Sequence, residues 1–128
     1  MDMLNKIYEA LRADAFILEK VENRIKYYEY PETGDVTKPY IIITQLSPPE
    51  PDDYADNQWL TEESIIQIDV WAKTRLDKDL LGAQIQRVMW SIGFGKNGTG
   101  IDEYDNDSEI YRDGRRYNCK VYTHELIK

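Results

Sequence analysis

Few residues in this chain are able to do chemistry. Cys119 and His124 are the single cysteine and single histidine among 128 residues. A thiolate–imidazole pair needs both side chains within hydrogen-bond reach and a third group to orient the base. Residues an odd number of positions apart on a strand project to opposite faces. The segment around Cys119 and His124 reads as a strand, so the two point apart. Zinc takes three or four ligands, mostly His or Cys, and one thiol with one imidazole is too few. Asp105-Asn106-Asp107-Ser108-Glu109 offers the oxygen ligands calcium prefers. However, the sixth position of such a loop requires glycine for its sharp turn, and Ile110 stands there; the stretch reads better as a hydrated acidic turn. Gly93-Phe94-Gly95-Lys96-Asn97-Gly98 has the spacing of a dinucleotide fingerprint. Its context is reversed, because these glycines follow a helical segment and precede a strand. Carboxylates are numerous, yet nothing singles out two of them as an acid–base pair. The sequence therefore assigns no catalytic residue, no metal site and no cofactor, and points to a non-enzymatic protein that binds other proteins.

Charge narrows the partners. The formal net charge is −8, which disfavours a nucleic-acid backbone, which needs a basic stripe, and an anionic membrane surface. The charge is also segregated. No Lys or Arg lies between Lys38 and Lys73, where Glu50, Asp52, Asp53, Asp56, Glu62, Glu63 and Asp69 are acidic, whereas Arg112, Arg115, Arg116 and Lys120 gather near the end. Acid facing base between copies gives the heterologous geometry of rings. A single cysteine allows no internal disulfide, which fits a reducing compartment. The N-terminal residues lack the pattern of a signal peptide, and no apolar run approaches a membrane span.

The elements that carry these residues follow from periodicity. Leu4, Ile7, Tyr8 and Leu11 predict a helix over 2–13, and Asp14 caps a second with Phe16, Ile17, Leu18 and Val21. Residues 24–30 and 40–44 read as strands, the second apolar on both faces and hence covered on both. Residues 47–57, with prolines and acids interleaved, predict a long loop that does not pair in a sheet. Ser64 to Ala72 alternates, with Ile66, Ile68, Val70 and Ala72 on one face and Ile65, Gln67, Asp69 and Trp71 on the other. A helix follows over 76–92, capped by Thr74 or Asp77, with Leu81, Ile85, Val88, Met89 and Ile92 on one stripe. Residues 93–100 hold four of the seven glycines and predict a mobile loop. Two last strands are expected, one within 101–112 and one over 115–126, joined by a tight turn at Asp113-Gly114; Tyr117, Cys119, Val121 and Thr123 face inward. The order α-α-β-β-β-α-β-β predicts one α+β domain over 1–128. It is a mostly antiparallel sheet of about four to five strands with helices packed on one face.

The wording of the chain resembles the phage tail-completion and head–tail joining family, which includes tail terminators. Ala10-Leu11-Arg12-Ala13-Asp14-Ala15, then Val21-Glu22-Asn23-Arg24-Ile25, then Lys38-Pro39-Tyr40-Ile41-Ile42-Ile43 carry the likeness. An acidic stretch, a strand ending Asp69-Val70-Trp71-Ala72 and a long helix continue it. The resemblance implies a structural virion protein of a tailed bacteriophage. It would be assembled in the bacterial cytoplasm and built into the tail or neck as a homo-oligomeric ring, commonly hexameric, and monomeric when free. Its partners would be other tail or connector proteins. The residues expected at such interfaces are Pro48, Pro49, Asp52, Asp53 and Tyr54 of the acidic stretch, the aromatics Trp59 and Trp71, and the Arg112, Arg115 and Arg116 cluster, since Trp and Arg are common anchors. The competing reading is an acidic adaptor or inhibitor, a DNA mimic, which requires acids spaced regularly on one face.

Overall fold

A computed structural model describes residues 2–55 and 58–122. Among the described residues, three helices cover one face of a seven-stranded, mostly antiparallel sheet, an α+β fold in the expected helix–strand order with two further short strands. Helix α1 (Met3–Ala13) begins at Asp2, whose Oδ1 accepts the Asn5 N–H at 3.0 Å. Asp14 ends α1 and starts α2 (Ala15–Val21). Its Oδ1 accepts the Ile17 N–H at 3.0 Å, and its Oδ2 accepts the Gln84 side-chain amide at 2.7 Å. That second bond ties the turn to α3 (Arg75–Ser91), which Thr74 caps through Asp77. Among the described residues, no helix is long and apolar enough to cross a membrane.

The strands are β1 (Ile25–Tyr27), β2 (Tyr40–Gln45), β3 (Glu50–Ala55), β4 (Gln58–Ala72), β5 (Gly95–Lys96), β6 (Ile101–Asp105) and β7 (Ile110–Tyr122). Their order is β1-β2-β4-β7-β5, with β3 also pairing β4 and β6 also pairing β7. Among the described residues, only β1 and β2 run parallel. The long central pair β4–β7 matches Thr61 with Tyr122 through to Ala72 with Tyr111. The inward face of the sheet carries Ile41, Ile43, Ile66, Ile68, Val70 and Tyr117, closed over by Ile7, Leu11, Ile17, Leu81, Ile85 and Met89. Each such aliphatic side chain contributes roughly 1.5–3 kcal/mol by leaving water. Arg24, 8% exposed, closes the α2 end of this layer by donating to the carbonyls of Lys20 and Pro39.

Several segments depart from the sequence reading. The first strand stops at Tyr27 because Tyr28 turns to φ +66°. Residues 50–55 do not form a loop; they pair with β4 from Glu50↔Glu63 to Ala55↔Gln58. Prolines and charges are tolerated there because β3 is an edge strand, bonded on one side and solvated on the other. The glycine run is also partly ordered. Phe94 is fully buried, and Gly95 and Lys96 pair with Asn118 and Tyr117.

The last two strands meet elsewhere than at Asp113-Gly114. β7 runs straight through that dipeptide, and the chain reverses between Asp105 and Ile110. Asp105 holds this turn by accepting the Asp107 N–H at 3.0 Å and the Ser108 hydroxyl at 2.8 Å, and Glu109 supplies φ +56°. Gly114 answers a packing demand instead: a Cβ there would lie 2.5 Å from Oδ1 of Asp69. Tyr117 and Val121 face inward as expected, with Cys119 half-buried between them; Thr123, His124 and Leu126 lie outside the described residues.

Candidate functional site

The acidic stretch and Trp59 come together as a β-hairpin built from β3 and the first residues of β4. Tyr54 and Trp59 oppose each other in its ladder. They are 69% and 47% exposed, and Leu60 beside them is 45% exposed. Large aromatics left this open on a structured arm are unusual for an isolated monomer and mark contact surfaces. Pro48 and Pro49 are exposed and lead into the arm. Lys120 of β7 clamps its base, with Nζ 3.0 Å from Asp52 and 3.3 Å from Asp53, and the Thr61 hydroxyl donates to Asp53 at 2.7 Å. The hydrogen bond from Lys120, seconded by the Asp53 N–H, holds the Asp52 carboxyl below its usual range; the hydrogen bonds to the Asp52 and Asp53 carboxylates raise Lys120.

Strand alternation divides the arginine cluster. Arg112 and Arg116 lie on the face away from the helices, and Arg115 lies beneath α3. On the open face, Tyr40, Trp71, Arg112 and Glu103 stand opposite one another across β2, β4, β7 and β6. Tyr30 stacks on Tyr40 at 3.9 Å, Tyr40 is near-parallel to Trp71 at 6.1 Å, and the Arg112 guanidinium sits 4.9 Å over the Trp71 ring. Arg112 also pairs with Asp69 at 3.0 Å and Glu103 at 3.1 Å. Arg116 donates to Gln67, whose amide donates in turn to Asp69. Trp71 is thus packed into the fold and half-buried, and its Nε1 is buried without a hydrogen-bond partner. Trp71 and Arg112 form one stacked column; they are not brought near Tyr54 or Trp59 on the arm.

Under α3, Arg115 Nε donates to the Asp113 carboxylate at 3.1 Å, and its Nη1 donates to Gln86 at 2.7 Å. Burial pushes the Asp113 carboxyl above its ordinary value, against the pull of Arg115. Lys78, 3% exposed, bridges Asp102 at 2.5 Å and Asp79 at 2.9 Å. Burial alone would lower its ammonium, but the hydrogen bonds to Asp102 and Asp79 outweigh that and raise it. These groups hold one another in place. Among the described residues, no three His, Cys, Asp or Glu side chains are grouped as a metal ion would need.

Sequence reasoning missed a second stripe on α3. Leu76, Leu80 and Trp90 are 66%, 45% and 75% exposed. With Ala83 and Arg87 they recur at alternating steps of four and three, which is one face of a helix. The same periodicity that reveals the buried stripe also contains this one, but the buried stripe alone was apolar throughout. Beside Trp90, a groove of about 410 Å³ opens between α3 and β5, lined by Ala83, Arg87, Phe94, Lys96 and Arg115 among others.

No protein-family model matches the sequence. No curated protein sequence matches it either. Among solved structures, a chain from the virion of a native gene transfer agent (GTA) particle is similar, with a TM-score of 0.68 and 16% sequence identity. The alignment covers 91% of this chain and 91% of that one. At such identity the likeness is one of fold, and it extends across most of both chains.

Proposed function

We propose that this protein is a non-enzymatic structural component of a tailed-phage-like virion, acting at the tail end or head–tail connector through a homo-oligomeric ring. The observation that carries the reading is the fold likeness, over 91% of each chain, to a chain of a gene transfer agent virion. Two features of this chain support it independently. An exposed aromatic arm projects from one edge of the sheet, as a part made for neighbours would. The charged side chains inside the domain, Asp69, Arg112, Asp113 and Arg115, are consumed in mutual pairs, which leaves them structural roles. The localisation that follows is the tail or neck of the particle, with other tail or connector proteins above and below.

Deleting the gene from the phage-like genome that carries it tests this reading. The expected result is particles with unjoined heads and tails, or tails of irregular length, under the electron microscope. The protein should also appear by mass spectrometry in purified wild-type particles. Normal, infectious particles lacking the protein would overturn the reading.

A further inference from the structure

The arm and the groove occupy opposite edges of one sheet. Thr61, Glu62 and Glu63 of β4 pair on one side with β3 and on the other with β7. β5 then lies beyond β7, so β3 and β5 are separated by two full strands. At about 4.8 Å per strand spacing, the hairpin of one chain cannot reach its own groove.

The two surfaces are complementary. The arm carries Asp52 and Asp53 held by Lys120 and, beyond them, Glu50, Glu62 and Glu63, with Tyr54, Trp59 and Leu60 exposed at its far end. The groove is walled by Trp90 and Ala83 and rimmed by the cations Arg87 and Lys96, with Arg115, already paired to Asp113, also in its lining. Arg87 donates to Gln84 and Lys96 to the Gly98 carbonyl; among the described residues neither cation has a carboxylate partner. Aromatic rings need an apolar slot, and surplus carboxylates need free cations. Each surface supplies what the other lacks.

We infer that the β3–β4 hairpin of one copy docks into the α3–β5 groove of the next copy. This deepens the ring reading and rests on it, by naming the two halves of the contact. The contact is heterologous, because the two surfaces differ and lie on opposite edges, and repetition of it gives a ring if the rotation closes. Tyr54 and Trp59 enter beside Trp90, and Glu50 and its cross-strand neighbour Glu63, not engaged by Lys120, meet Arg87 and Lys96. Charge pairs of this kind weaken as salt rises.

The test uses two variants of the full chain. Tyr54→Ala with Trp59→Ala disables the arm, and Arg87→Glu with Lys96→Glu disables the groove; all four side chains are exposed. At concentrations where the wild type assembles, each variant alone should stay monomeric by native mass spectrometry, with self-association weakened about thirtyfold or more. An equimolar mixture should form a dimer and stop, since one intact arm then meets one intact groove. Carbodiimide treatment of the wild type should join Lys96 to Glu50 or Glu63. That bond can only be intermolecular. Rings that persist in both variants, or wild-type rings that give no Lys96–hairpin cross-link, overturn the docking and leave the ring reading standing. If the free wild type is monomeric, cross-linking of purified particles decides: a Lys96–hairpin link supports the contact, and its absence overturns it.

Discussion

Gly82 and Asp113 meet where α3 crosses β7: a Cβ on Gly82 would lie 2.7 Å from Oδ2 of Asp113 and 3.2 Å from the Arg115 guanidinium. Alanine favours a helix interior over glycine by about 1 kcal/mol, so propensity alone predicts that Gly82→Ala stabilises. The contact predicts the reverse, because Asp113 is buried and held by Arg115, so relieving the clash disturbs that pair. Gly82→Ala should destabilise by about 1–3 kcal/mol, read as a lower urea midpoint.

Arg112 is the bridge of the open face. Arg112→Ala removes the partner of Asp69, which is 6% exposed, and the cation above Trp71. Loss of one partner of a mostly buried pair costs about 3 kcal/mol, here somewhat less because Gln67 still donates to Asp69 and part of Arg112 reaches solvent. The Trp71 fluorescence should shift with it. Asp69→Asn in the same background should cost much less than it does alone, a coupling that a double-mutant cycle measures.

Stability should fall in alkali. Burial raises the Tyr117 hydroxyl far above 10.0, so the unfolded chain releases that proton at a lower pH than the folded chain does. Between those two values the folded state holds the extra proton, and stability declines as pH rises above about 10. Lys78, also raised above its ordinary 10.5, declines in the same direction: its contribution is complete below the unfolded value and is lost as pH climbs through the folded one. Tyr117→Phe should flatten the alkaline limb of the urea midpoint against pH, whereas an unchanged limb would remove Tyr117 as its source.

The clamp on the arm is local. Lys120→Ala leaves Asp52 and Asp53 without their ammonium at the foot of the hairpin. Amide hydrogen exchange in residues 50–55 and 58–63 should quicken, while the midpoint of global unfolding stays nearly where it was, since open surface pairs add little. A large drop in that midpoint would mean that the arm is integral to the core.

Helices were the part of this fold that local sequence already decided. Asp2, Asp14 and Thr74 cap where their side chains reach a nearby backbone N–H, and the stripes Ile7–Leu11 and Leu81–Ile85–Met89 follow the helical period; both effects act within a few residues. The alternation of Ile66, Ile68 and Val70 settled the inner face of β4 in the same way. What tertiary structure alone decided is how residues far apart in sequence share space. Asp113-Gly114 has the composition of a turn, yet β7 passes through it, because Arg115 neutralises the buried Asp113 and Asp69 occupies the room a Cβ on Gly114 would take. The acid- and proline-rich stretch pairs as β3 because β4 extends past the end of β2 and offers a free edge. The sequence by itself determined that acid and base are segregated. Only the sheet order places the aromatic acidic arm and the cationic groove on opposite edges, since strand adjacency depends on long-range pairing that no local pattern encodes.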